Sequence, residues 1–211
     1  MTAVGTSTRK TARKAKGDGH LRRAEILEAA ERIFVAEGYE GATIRKIADE
    51  VGVSSTALYM HFPDKACILF EIVRTTFENL VTQNDEIAVK PVDPVVRTRM
   101  MLEAYMRWGF EHPNAYQLVY CRRGPVSLGP LPEGTNDLSR KCYDIFAGVV
   151  REIAASGRLR TGNADSAAQA LWMSCHGVVA LLITTPGFAW APRQELMQVT
   201  LDGLLSGLVI D

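Results

Sequence analysis

The sequence lacks the short motifs that mark the common enzyme and metal sites. It contains no GxSxG, no glycine-rich phosphate loop and no HExxH. Its four histidines are far apart, and its four cysteines show no CxxC spacing, at Cys67, Cys121, Cys142 and Cys175. We therefore expect no enzyme activity, no metal site and no cofactor, although distant residues could still form a catalytic triad in space.

Membrane and secretion signals are also missing. No run of about 18 apolar residues is found, and the N-terminus is polar and basic, unlike a secretory signal. Scattered cysteines favour reduced thiols buried in helices. These absences predict a cytoplasmic protein without a membrane partner. At 211 residues, of which 47% are hydrophobic and 23% charged, the chain suffices for one or two compact domains.

Charge is unevenly distributed, although the net charge is zero. Residues 1–23 contain seven Lys or Arg and one acidic residue, Asp18. Residues 1–20 show no apolar period, so we predict a disordered basic arm there. Such an arm beside a folded unit favours a polyanionic partner. A solubilising or cloning-derived tail would have the same composition.

Apolar residues recur at helical spacing from about Leu21 to the C-terminus, with no convincing strand pattern, which predicts an all-α fold. Two short helices meet within residues 43–62. Thr43 and Ser54 are suited to cap their N-termini, and Gly52 supplies the tight turn between them. This is the layout of a helix-turn-helix, with Leu58 holding the second helix from behind.

The outer side of the second helix carries small and hydroxylated side chains, which permit close approach to a groove of DNA. We predict base contacts from Ser55, Thr56 and Ala57. Phosphate contacts are predicted from Thr43, Tyr59, His61 and Lys65. The full predicted DNA-binding set is Thr43, Ser54, Ser55, Thr56, Ala57, Tyr59, His61 and Lys65. Glycine-linked helix pairs also occur in proteins that never touch DNA, so a helical dimer without DNA binding stays an alternative.

Residues 24–69, AEILEAAERIFVAEGYEGATIRKIADEVGVSSTALYMHFPDKACIL, resemble the DNA-binding domain of the tetracycline-repressor (TetR) family of bacterial transcription regulators. Matching positions include Phe34, Gly52, Tyr59 and Lys65. The pair Ser55-Thr56 stands where many members have Lys-Gly, and Met60 stands where a histidine is common. The resemblance implies a homodimer on a palindromic double-stranded DNA operator.

The resemblance also divides the chain. It implies a basic arm over residues 1–20, a three-helix DNA-binding domain over 21–65, and a helical ligand-binding and dimerisation domain over 66–211. The last two helices are expected to pair with those of a second copy. The family default is a repressor that a small apolar or amphipathic molecule releases from its operator. The alternative is a helical small-molecule-binding or protein-interaction dimer.

Candidate effector contacts are aromatic and sulfur side chains of the C-terminal half, because ligand sites are mostly apolar with a few polar groups. The predicted set is Met101, Tyr105, Trp108, Tyr116, Trp172, Cys175 and His176. The stretch ALWMSCHGVVALL further resembles a subgroup of the family marked by Trp172, His176 and Gly177. His176 could instead be a satisfied core or interface histidine, and a metal ligand is a third reading that no local spacing supports.

Overall fold

The structure, a computed structural model, describes residues 19–121 and 135–210, and nine helices account for most of them. The helices are α1 (Gly19–Gly41), α2 (Ile44–Val51), α3 (Ser55–Tyr59), α4 (Lys65–Ala88), α5 (Pro94–Glu111), α6 (Pro113–Tyr120), α7 (Thr135–Ala155), α8 (Ala164–Thr184) and α9 (Arg193–Leu208). One isolated antiparallel bridge joins Leu159 and Val209. The predicted all-α fold is confirmed. The basic arm lies outside the described residues except for its last two positions.

Local side-chain signals set the helix ends. The side chains of Thr43, Ser54 and Asp64 accept backbone N–H bonds at the starts of α2, α3 and α4, over 3.2, 3.1 and 2.7 Å. Gly52 ends α2 in the left-handed region, with φ 73°. Gly38 adopts φ 72° and kinks the end of α1. The predicted caps at Thr43 and Ser54 and the predicted turn at Gly52 are therefore confirmed.

Buried apolar residues form two cores. The first lies among α1, α2, α3 and α4 and includes Ile26, Ile47 and Leu58. The second lies among α5, α7, α8 and α9 and includes Leu171 and Leu201. Helix α4 contributes residues from Ile68 to Leu80 to the first core and also packs along α7. The predicted boundary at residue 65 thus falls in the first turn of a helix that both halves use.

Helix α8 bears on the expectation that the chain has no membrane-spanning segment. It is long and apolar enough to cross a membrane by length and composition, although little of it is buried inside the protomer. Alanine, glycine and serine interrupt its large apolar residues, so the chain shows no continuous run of bulky apolar side chains. Its exposed apolar residues include Met173 and Leu181, 60% and 50% exposed. An apolar helix face of this kind requires a covering surface.

Candidate DNA-binding surface and regulatory cavity

Helix α3 presents its polar side to solvent. Leu58 is fully buried, whereas Tyr59 and Met60 are 55% and 83% exposed. Ser54, Thr56 and Ala57 are exposed as well, while Ser55 and His61 are half-buried. One apolar anchor therefore holds the short helix against the first core and leaves the hydroxyl-bearing side accessible.

Lys65 plays a part that the sequence did not indicate. Its ammonium donates to the carbonyl of Tyr39 over 2.7 Å and to that of Ala42 over 3.3 Å. It also lies 4.2 Å from the centre of the Tyr39 ring. The lysine thus fastens the end of α1 to the start of α4. Because carbonyls use two of its three donors, its predicted phosphate contact stays a prediction with reduced support from the geometry.

Two arginines of α1 also fix this helix on the helix-turn-helix. Arg23 donates to the carbonyl of His61 over 3.1 Å and lies 4.2 Å from the centre of the Phe62 ring. Arg22 reaches the carbonyl of Val51 over 3.5 Å. Together they connect α1 to the ends of both short helices. The predicted reader helix is therefore held by polar contacts as well as by its apolar core.

Arg45 was not among the DNA-binding residues predicted from the sequence. Arg45 lies in the first turn of α2, two residues after Thr43, and its side chain is 87% exposed with only a 3.8 Å approach to Asp49. An exposed guanidinium beside the α2 cap is suited to a phosphate or a base edge. The sequence signal that could have identified Arg45 is its positive charge two residues after Thr43, a predicted phosphate contact.

A small cavity lies where α4, α5, α6, α7 and α8 meet, and its volume is about 70 Å³. Its wall consists of Phe77, Leu80, Asn84, Met101, Leu102, Tyr105, Tyr120, Ser139, Cys142, Tyr143, Phe146 and Trp172. Burial raises the pKa of the Cys142 thiol to about 11 and that of Tyr105 above its ordinary range. The described wall is therefore uncharged at neutral pH.

Three of the seven predicted effector residues, Met101, Tyr105 and Trp172, line this cavity. The other nine wall residues were not among the predicted effector residues. Four of them, Phe77, Leu80, Leu102 and Phe146, are apolar, and five carry polar atoms: Asn84, Tyr120, Ser139, Cys142 and Tyr143. The recurrence of Tyr116 and Tyr120 at i, i+4 on α6 was the one usable signal among them.

His176 lies behind the wall in a polar network. Its Nδ1 is 2.9 Å from the hydroxyl of Tyr105 and 2.7 Å from that of Tyr116. The Tyr116 hydroxyl also donates to the His176 carbonyl over 3.1 Å. Burial lowers the pKa of His176, which favours the neutral imidazole. These contacts support the reading of His176 as a satisfied interior histidine, and its contact with an effector stays a prediction.

The remaining predicted effector residues lie off the cavity wall. Cys175 and Tyr116 are fully buried. Trp108 lines a separate cleft of about 420 Å³ between α1, α4, α5 and α6, which Glu31 and His112 also line. In this cleft, burial and the nearby Glu28 raise the pKa of Glu31 to about 7. Effector contacts by Trp108, Tyr116 and Cys175 are accordingly not supported by the position of the cavity.

Comparison with known proteins follows the two halves of the structure. The model of the bacterial regulatory proteins of the tetR family matches residues 26–72. The model of the tetracyclin repressor-like C-terminal domain matches residues 98–204. The second match does not confirm the Trp-His-Gly subgroup. Among curated proteins, the nucleoid occlusion factor SlmA of Vibrio vulnificus is 33% identical over 143 residues, which cover 67% of the chain and 71% of that protein.

Solved structures agree with these matches. PfmR, a TetR family transcriptional regulator from Thermus thermophilus, has a TM-score of 0.73 at 25% identity, covering 86% of this chain and 97% of PfmR. The regulator FadR of Bacillus subtilis, solved with stearoyl-CoA, has a TM-score of 0.72 at 19% identity, covering 87% and 98%, which shows the shared fold. The chain therefore belongs to the tetR family of bacterial regulatory proteins and is a DNA-binding transcriptional regulator.

Proposed function

We propose that the chain is a homodimeric, non-enzymatic repressor in the cytoplasm. Two copies of α3 read a palindromic operator, and a small apolar or amphipathic molecule in the α4–α8 cavity releases the dimer from it. The observation that carries this proposal is the position of α4. One end of this helix shares the first core with Leu58 of α3, and Phe77, Leu80 and Asn84 towards its other end form part of the cavity wall.

The length of α4 converts a small shift at the cavity into a larger one at the DNA surface. Leu80 and Lys65 are 15 positions apart, which corresponds to about 22 Å along a helix. A tilt of about 5° over that lever displaces the start of α4 by about 2 Å. Because Lys65 fastens α1 to α4, the DNA-binding unit moves with it. The operator fits two reading helices at one separation, so this shift lowers affinity.

The size of the cavity supports an effector that changes the structure. Ligand sites usually measure about 300–1,000 Å³, whereas this cavity measures about 70 Å³. An effector larger than a few waters must therefore push the wall outward. It then prefers a conformer with a displaced α4, and that preference sets how far it lowers DNA affinity, typically by about 1–3 kcal/mol.

Two further features support the dimer. Met173 and Leu181 on α8 and Val199 on α9 are at least half exposed. Gly177 and Gly203 on the same helices have nothing within 4 Å of an added Cβ in the protomer, which leaves room for close approach of another helix. An apolar face with small residues fits a second copy of the same two helices. The same dimer would cover the α8 face without a membrane.

Selection of bound duplexes from a random pool tests the DNA-binding part. The expected result is a palindrome with two half-sites, bound less tightly as salt rises because phosphate contacts release counterions. Tyr59→Ala should weaken binding to operator and non-operator duplexes alike, by about 3- to 10-fold for one lost hydrogen bond. Val89→Ala is the matched control, because Val89 is also exposed, at 81%, and lies just after the end of α4 that is remote from α3.

A pool that yields no enriched sequence would contradict the operator proposal. Selective loss on one sequence in Tyr59→Ala would instead assign Tyr59 to base readout. Addition of cavity ligands to the operator complex then tests release. An unchanged operator affinity with a saturating bound ligand would contradict the coupling through α4.

The 33% identity to a nucleoid occlusion factor favours a second candidate function, a further role on DNA beside the regulation of transcription. Mapping the bound sites in cells and measuring transcripts in a deletion strain separates the two. Sites at promoters whose transcripts rise in the deletion support the repressor. Sites without any transcript change support the second candidate.

A further inference from the structure

One polar atom of the cavity wall is left without a partner. The hydroxyl oxygen of Tyr143, on α7, is buried and makes no hydrogen bond to any residue in the described parts of the chain. Its ring lies 5.9 Å from that of Trp172, which lines the same cavity. A buried hydroxyl without a partner is unfavourable, so such groups in native proteins usually have a function or bind another molecule.

Two other polar groups of the wall, the side-chain amide of Asn84 and the hydroxyl of Tyr105, are already hydrogen-bonded. The Nδ2 of Asn84 donates to the backbone carbonyl of Cys142 over 3.2 Å. The hydroxyl of Tyr105 lies 2.9 Å from Nδ1 of His176. Among these wall groups, the phenol of Tyr143 is therefore the donor available to a ligand.

The wall also limits the charge of that ligand. None of its described members carries a charged side chain, and burial raises the pKa of the Tyr105 phenol and of the Cys142 thiol, which holds both in their neutral forms. An ionised carboxylate or ammonium would lose its hydration there without gaining a counter-charge, which is costly. A carbonyl or ether oxygen loses much less hydration free energy on entering the cavity, and it gains a hydrogen bond from the Tyr143 phenol.

We propose that Tyr143 is the polar anchor of the effector site and that the effector is an uncharged, mainly apolar molecule with one acceptor oxygen. This inference rests on the proposed effector role of the cavity. The Tyr143 hydroxyl donates to the acceptor oxygen, while Phe77, Phe146 and Trp172 surround the apolar part. Carboxylates of the same shape are excluded by charge.

Three probes of equal non-hydrogen atom count test this proposal on the purified full-length protein. Acetophenone carries a neutral acceptor, cumene has the same shape without one, and benzoate is the anion. Titration followed by ligand-observed NMR should show that acetophenone and cumene bind and that benzoate binds at least about 10-fold more weakly. Tyr143→Phe should weaken the binding of acetophenone by about 3- to 10-fold and leave the affinity for cumene unchanged. The control Tyr39→Phe, far from the cavity wall, should alter neither affinity.

Thermal melting of the same variants adds an independent measurement. Loss of an unsatisfied hydroxyl should leave Tyr143→Phe as stable as the natural protein or more stable. A clear fall in melting temperature would show that the phenol has a partner within the protein and would overturn the proposal. Equal binding of benzoate and acetophenone, equal weakening of cumene and acetophenone in Tyr143→Phe, or no binding of any probe up to its solubility would also overturn it.

A gel shift on the same preparations separates this inference from the proposed function. Specific DNA binding without probe binding contradicts the neutral-ligand site and leaves DNA recognition intact. Probe binding with the predicted selectivity but without specific DNA binding supports the anchor and contradicts the repressor.

Discussion

Gly109 on α5 offers a quantitative test of how the regulatory half is packed. A Cβ added at Gly109 would lie 2.6 Å from Cγ1 of Val179 and 3.0 Å from Cδ2 of Tyr116. Neither neighbour gives way easily, since both are fully buried and the Tyr116 hydroxyl is bonded to His176. Gly109→Ala gains about 1 kcal/mol of helix propensity. Overpacking costs about 1–3 kcal/mol, and contacts this short belong at the upper end.

The net expectation is a loss of about 2 kcal/mol in the free energy of unfolding, or roughly 4–8 °C in melting temperature for a chain of this length. Gly148→Ala on α7 is the matched control, because an added Cβ there meets nothing within 4 Å. It should gain up to about 1 kcal/mol. Urea denaturation followed by circular dichroism measures both. A Gly109→Ala protein as stable as Gly148→Ala would refute the close α5–α8 contact.

Substitutions at three other positions have defined outcomes. The raised pKa of Glu31, about 7, means that its proton stabilises the fold at low pH and that this stability is lost as pH rises toward 7. Glu31→Gln should therefore reduce the fall in the free energy of unfolding between about pH 4.5 and 7. At pH 8, allowing for solvent screening, it should raise the free energy of unfolding, measured by urea denaturation, by about 1 kcal/mol. Lys65→Met should lower stability by about 1–3 kcal/mol through its two lost carbonyl bonds and weaken operator binding in gel shifts; unchanged stability would contradict the fastening role. Ser54→Ala should cost about 1 kcal/mol in thermal melting, and Ser54→Gly only a few tenths.

The helix ends and the DNA-binding unit were predictable because their causes are local. A cap such as Ser54 bonds a backbone N–H three residues away, and the left-handed turn at Gly52 depends on that residue itself. Leu58 follows the helical period of its own short segment. Sequence alone contains all of these relations, so Thr43, Ser54 and the exposed side of α3 were placed correctly.

The cavity was only partly predictable because it depends on which helices meet. Periodicity marks one face of α5 and α8 as apolar, and Met101, Tyr105 and Trp172 follow from that. It does not say that α7 packs Tyr143 against Trp172, or that the Tyr116 hydroxyl of α6 bonds to His176. Such pairings depend on long-range packing, which a single sequence does not specify.

Lys65 shows a similar limit for charge. Its position in the first turn of α4 predicts a cation near the DNA surface. That position does not specify which groups the side chain contacts. In the structure the ammonium donates to the carbonyls of Tyr39 and Ala42 at the end of α1. A long side chain binds whichever acceptors the tertiary fold presents, so its role could not be read from spacing.

The coupling between the two halves finally depends on the stiffness of α4. Residues 65–88 contain no glycine and no proline, the usual causes of a sharp kink. Arg74 near the middle pairs with Glu71 over 2.9 Å and with Glu78 over 2.6 Å, which supports the helix surface. Such a helix is expected to tilt largely as one piece. The proposed coupling therefore predicts that a displacement at Leu80 reaches Lys65, and through it α1 and the first core.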